Sequence, residues 1–393
     1  MISIKECNKE WVNIKKVHVT TIQRYIHDHT DFFLDLLKYV QFLQVHQKTR
    51  NTTVNSKITT IGKKYDFHGK HTTYLVNKIL QDKFSVNDKN EYYSVKYKDK
   101  YKIGLRPISD YISGLDELKG EIDWLVSFSA PIDKIHYVRT KLLCDSIESL
   151  LPAIINYDHF SKGTLGKRYP WNAYRLSKAL NLKTCCYCNR EYTFTITSGK
   201  KNITRPELDH FYDKAKNHLL ALSFENLIPS CDVCNGDLKN QADFINDQPI
   251  LNPYEENQKH AAMQFKHYPK TYEAAVGLTD EFDIEVVNCT EPGTDLSKKV
   301  DRQISLFRYN GIYPEHGDYI QDLVMKKWVS NDKYLALLKE LYIDFELTPE
   351  EAYRLAFGNF QNEEDFGKRP LSKMTKDIAQ AIGLIKKHNG LDQ

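Results

Sequence analysis

Two short cysteine pairs constrain this 393-residue chain more than any other feature. Cys185-x-x-Cys188 lies in TCCYCNREYTF, and Cys231-x-x-Cys234 lies in SCDVCNGDLK. Two such pairs a few tens of residues apart suit a tetrahedral four-thiolate zinc site. Each short loop brings two thiolates to one side of an ion, and the intervening chain folds back to close the tetrahedron. A redox dithiol needs one pair and leaves the other unexplained. Cys186 competes with Cys185 for the first position, but a Cys186-x-Cys188 spacing is cramped for chelation, so Cys185 is the expected ligand. Cys7, Cys144 and Cys289 stand in ordinary contexts and are expected to be packing residues.

The metal reading needs reduced thiols. No apolar run approaches the roughly 20 residues that cross a bilayer, and MISIKECNKEWVNIKK has no apolar signal-peptide core. The expected compartment is the cytoplasm, where disulfides are rare. With 41% hydrophobic and 27% charged residues the chain reads as soluble and globular rather than disordered. Charge is uneven: +10 over residues 1–180, −2 over 181–255 and −5 over 256–393. The first part is the one suited to a polyanion.

Length and patterning suggest three units. Residues 1–180 read as a mainly helical, basic region. Ile22, Ile26, Phe33, Leu36, Leu37, Val40 and Leu43 follow helical spacing. A Lys- and Tyr-rich insert at 57–102 interleaves Lys with Tyr65, Tyr74, Tyr92, Tyr93, Tyr97 and Tyr101, and EYYSVKYKDKYKIG there alternates like an exposed strand or hairpin. That composition suits a solvated hairpin or a nucleic-acid surface. Residues 181–255 hold both cysteine pairs: REYTFTITSGKKNITRPELDHF reads as two strands, and SCDVCNGDLKNQADF as a helix capped by Ser230. Residues 256–393 read as mainly helical.

Between and beside the cysteines lie PELDHFYDKAKN and FENLIPSCDVCNGDLK. In order, the chain offers CxxC, Asp209-His210, Asn226, CxxC followed at once by Asn235, and then Lys239. This run, within residues 184–240, resembles the HNH endonucleases of ββα-metal fold, in their zinc-knuckle branch. Asn235 stands where the eponymous pattern has a second His, an HNN variant. The resemblance implies an α+β fold, with a small zinc-bound ββα-metal module flanked by mainly helical regions. It also implies a catalytic His210 and a Mg²⁺ or Mn²⁺ ion on Asp209 and Asn235. Asn226 would hydrogen-bond the backbone around His210, and zinc on the four cysteines would be structural.

The residue types fit that chemistry. Phosphodiester hydrolysis needs an activated water and charge neutralisation at the phosphate and leaving oxygen. His210 can take a proton near neutral pH. Asp209 and Asn235 offer hard oxygens. On a regular α-helix Cys231, Cys234, Asn235 and Leu238 share one face. In a regular strand Asp209 and His210 point to opposite faces, so a bend is expected there. Glu207 shares a face with Asp209 by alternation but is not assigned to the site, and His218 is given no role. Arg190, Lys214 and Lys239 are the candidate phosphate contacts.

DNA is the expected substrate. The same motif aimed at RNA such as tRNA is one alternative, and a non-catalytic zinc ribbon that binds nucleic acid or a partner is another. The flanks LALSFENLIPSCDVCN, LNPYEE and GKRPLSKMTKDI resemble large HNH proteins of bacterial anti-phage systems, the Septu-type nuclease subunits among them. That resemblance implies an ATPase partner and DNA degradation on infection.

Overall fold

The computed structural model describes residues 2–46, 52–65, 107–199, 201–255, 260–329 and 348–385. The apolar spacing near the start forms one long helix, α1 (Trp11–Val45), which buries Ile22, Ile26, Phe33, Leu36, Leu37 and Val40. Helix α2 (Thr52–Lys64) follows. The start of the Lys/Tyr-rich stretch is therefore helical, and Tyr65 donates its hydroxyl to Asp35 Oδ2 at 2.7 Å, while the alternating EYYSVKYKDKYKIG lies outside the described residues. Tyr74, Tyr92, Tyr93, Tyr97 and Tyr101 lie outside the described residues. Helix α3 (Ile108–Ser127) lies along α1, with Lys119 Nζ 2.6 Å from Asp31. Then come α4 (Lys134–Leu143) and α5 (Ala173–Leu180), N-capped by Asp133 and Asn172. Asn181 closes α5 in the left-handed conformation (φ 50°) and turns the chain into the first cysteine pair.

The middle of the chain is a set of short strands. β1 (Ile196–Ser198) and β2 (Lys201–Thr204) form an exposed antiparallel hairpin. β3 (Glu207–His210) pairs instead with β4 (Leu227–Ser230), Asp209 opposite Ile228 and His210 opposite Leu227. The expected two strands are thus a hairpin followed by a separate strand with a downstream partner. A second long antiparallel pair, β5 (Met263–Pro269) and β6 (Phe282–Asn288), belongs to the C-terminal part. It packs with α6 (Asp295–Leu306), α7 (Gly317–Val329) and, beyond α8 (Pro349–Phe357), α9 (Ser372–Ala381). The architecture is mixed α+β. Among the described residues no helix is long and apolar enough to cross a membrane.

Buried apolar side chains form one connected core across the three segments marked off in the sequence, from Ile26 and Leu118 through Phe211 to Phe307 and Ile378. Backbone bonds cross the same boundaries. Ile2 N–H reaches the Cys186 carbonyl at 2.9 Å, and Lys183 N–H reaches that of Gly367 at 2.9 Å. The segment with the cysteine pairs is therefore walled in by chain from both ends.

Two histidines of α1 sit inside this core. His18 Nε2–H donates to the Leu222 carbonyl at 2.8 Å, while its Nδ1 accepts from Trp171 Nε1–H at 3.1 Å. Burial pushes its pKa down to about 4, and that of His29 down to about 3. Both stay neutral in the folded chain at pH values where an unfolded histidine, near 6.5, takes up a proton. The unfolded state then binds more protons, so stability falls as pH drops below that range and until the folded values are reached. Each histidine contributes about 1.4 kcal/mol per pH unit in that window. Thermal melts at pH 7, 6 and 5 should show a falling midpoint that steepens below pH 6. A flat profile would contradict the buried neutral state.

Candidate metal centre and adjoining cleft

The four sulfurs of Cys185, Cys188, Cys231 and Cys234 lie within 4.8 Å of one another, all buried. Cys188 and Cys231 Sγ are 4.0 Å apart. A tetrahedral zinc with Zn–S bonds of about 2.3 Å has sulfur–sulfur edges of about 3.8 Å, so the cluster fits such an ion. Cys186 is buried outside the cluster; its N–H goes to the Pro229 carbonyl at 3.2 Å. Cys144 is buried as expected of a packing residue, whereas Cys289 is exposed.

Local structure explains the convergence. Asn189 takes a left-handed conformation (φ 50°) just after the first pair, so the Arg190 N–H points back to Cys188 Sγ at 3.3 Å. The Asn189 side chain donates to Thr184 Oγ1 and to the carbonyls of Phe366 and Arg369, tying the turn to the C-terminal segment. From α6 and the turn after it, Phe307 stacks on Tyr187 and the Tyr309 hydroxyl donates to the Tyr187 carbonyl at 2.5 Å. Tyr313 does the same for the Cys188 carbonyl. The second pair sits where β4 ends and a π-helix, Val233–Lys239, begins. This is not the α-helix expected, and the N–H of Asn240 bonds five residues back to Asn235. Nor does Ser230 cap it. Ser230 closes β4, and its buried hydroxyl has no partner among the described residues.

Beside the cluster opens a polar cleft of about 300 Å³ whose walls include Tyr157, Arg205, Glu207, Asp209, His210, Lys214 and Asn235. Asp209 and His210 both reach it because β3 stops at His210 and the chain bends at Phe211, as the sequence required. His210 Nε2–H donates to the Ala221 carbonyl at 3.0 Å, which leaves Nδ1 as the acceptor. Burial, reinforced by the nearby Lys214 ammonium, pushes its pKa down to about 3. The neighbouring carbonyl, of Leu222, is the one taken by His18. Two imidazoles therefore pin consecutive residues of one turn. Asn226 is fully buried; its Oδ1 accepts from Tyr212 N–H at 2.7 Å, and its Nδ2 donates to the carbonyls of Tyr212 and Leu220. It thus braces the chain that follows His210 against the turn that holds the imidazole.

Asp209 is buried too. Its Oδ2 accepts the Tyr187 hydroxyl at 2.5 Å, and its Oδ1 meets Lys239 Nζ at 3.0 Å. Asn235 Nδ2 donates to Glu207 Oε2 across the cleft. Glu207, Asp209 and Asn235 all line the cleft, and their side-chain oxygens are of the hard type that Mg²⁺ or Mn²⁺ takes. Asp209 keeps lone pairs after accepting its two hydrogen bonds.

One candidate phosphate contact needs correction. Lys239 is buried, its ammonium turned inward onto Asp209 and the His210 carbonyl. Arg190 does not line the cleft; its guanidinium lies 3.5 Å from Glu191, and its backbone serves the knuckle sulfur. Lys214 does line it, exposed, with its ammonium 4.5 Å from the Tyr157 ring centre. Tyr157, Arg205 and Glu207 are lining residues without an assignment in the sequence. The alternation that puts Glu207 on the face of Asp209 extends, two residues back, to Arg205 and could have found it as well. Tyr157, whose ring meets His210 edge-on at 4.4 Å, comes from an upstream helical turn and left no local signal. No family model, curated protein or solved structure matches this chain.

Proposed function

We propose that this protein is a metal-dependent endonuclease of HNH type that hydrolyses phosphodiester bonds, with DNA as its substrate. The observation that carries the reading is His210. It is an imidazole held neutral by burial and by the nearby Lys214 ammonium and oriented by one backbone carbonyl, on the wall of a cleft that also presents two cations and hard oxygen donors. The neutral ring can accept a proton from an attacking water. An anionic phosphate drawn in by Arg205 and Lys214 raises the proton affinity of the nearby ring, because a negative neighbour favours the imidazolium. The Asp209, Glu207 and Asn235 oxygens would hold a divalent cation, which would supply charge neutralisation at the phosphate and the leaving oxygen. Zinc on the four cysteines would hold the Cys185–Cys188 loop against the end of β4 and the π-helix and would stay out of the chemistry.

The test is cleavage of supercoiled plasmid and of tRNA, side by side, with Mg²⁺, Mn²⁺ or EDTA. It is run with purified protein alone and with any ATPase encoded beside it. Cation-dependent nicking of plasmid is the expected result. Cutting of tRNA alone moves the substrate to RNA, and no cutting of either under any cation rejects the reading. Arg205→Ala and Lys214→Ala should each weaken DNA binding at all sequences and make the slope of log affinity against log salt shallower by about 1. Filter binding across a salt series checks this.

A further inference from the structure

We infer that Lys239 is a positioning residue of the cleft: its ammonium fixes the Asp209 side chain and the His210 main chain, and it touches no nucleic acid. This deepens the nuclease reading and rests on it. The Lys239 side chain has no solvent exposure, and that of Asp209 is 3% exposed. A buried ammonium is tolerated only with partners close enough to replace water. Lys239 has two, Asp209 Oδ1 at 3.0 Å and the His210 carbonyl at 2.8 Å, with the Phe244 ring centre 5.5 Å away.

These bonds join two elements that must keep register. Asp209 and His210 end β3, while Lys239 ends the π-helix that carries Cys234 and Asn235. Tyr187, in the first cysteine loop, grips the other Asp209 oxygen. Asp209 is therefore held from both cysteine pairs, by Tyr187 before the strand and Lys239 after it. The ammonium sets where the carboxylate and the imidazole-bearing backbone stand relative to Asn235 on the cleft wall.

The experiment compares wild type with Lys239→Gln and Lys239→Arg for duplex DNA affinity across salt, zinc content, kcat, and the His210 imidazole signal in ¹⁵N-histidine spectra, assigned with His210→Ala. We expect Lys239→Gln to bind DNA with unchanged affinity and salt slope and to keep its zinc. Its kcat should fall about 100-fold, the scale of a 1 Å misplacement, and its His210 signal should shift. Lys239→Arg, which keeps the charge and can donate to both acceptors, should recover part of the rate. A weaker affinity with a salt slope shallower by about 1 would show that the lysine contacts phosphate and overturn the inference. An unchanged kcat with an unmoved His210 signal would overturn it as well. If Lys239→Gln loses its zinc, the same comparison is made on Lys239→Arg. If wild type cuts nothing, the nuclease reading fails, and the binding and spectral arms still decide the placement of Lys239.

Discussion

Stripping the metal from the four-cysteine centre should collapse the cleft and abolish cutting, and added Mg²⁺ should not restore it. The sulfurs are the shared anchor of the Cys185–Cys188 loop, which carries Tyr187, and of the π-helix, which carries Asn235 and Lys239. Without an ion four buried thiolates repel one another, and the thiols must reprotonate or separate. Binding to the folded state alone stabilises it by mass action, about 4 kcal/mol when free metal is 1,000-fold above Kd. Chelation should therefore lower the melting midpoint by several degrees. Cys234→Ser should mimic it, with less than one zinc per chain by atomic absorption. A variant that lost the metal yet kept full stability and cutting would show that the cluster is a group of packed thiols and nothing more.

His210→Ala should reduce cleavage by about 10²–10⁴-fold, the usual contribution of a positioned general base, with one zinc per chain retained. The imidazole makes one polar bond, to the Ala221 carbonyl, and one edge-on ring contact, to Tyr157. Its loss leaves a small cavity and one freed carbonyl beside an open cleft, which the fold should survive. The decisive pattern is a collapse of kcat with DNA affinity and zinc content intact. Equal cutting by His210→Ala and wild type would remove the base from the mechanism. Loss of DNA binding in parallel would instead make His210 a substrate-binding residue.

Much of this site could be read along the chain. The CxxC spacing pointed to four clustered sulfurs, and the adjacency of Asp209 and His210 required a strand end, which the bend at Phe211 supplies. The failures are as informative. Lys239 looked like a surface cation because nothing local marks a lysine as buried; its partner, Asp209, lies 30 residues earlier, on β3. An α-helix was expected after Cys231, but the chain winds as a π-helix there, and propensity does not register that wider turn. Tyr157 and the α1 residue His18 reach the site or its supporting turn only through long-range packing.

The sequence by itself determined which side chains could chelate and which could move a proton, because ligand type and short-range spacing are properties of a few consecutive residues. Tertiary structure alone decided which charges face solvent and which are consumed inside. Arg205, Glu207 and Lys214 line the cleft, while Lys239 is spent on Asp209. The physical reason is that the cost of burying a charge depends on partners the chain brings in from afar, and no local pattern encodes that pairing.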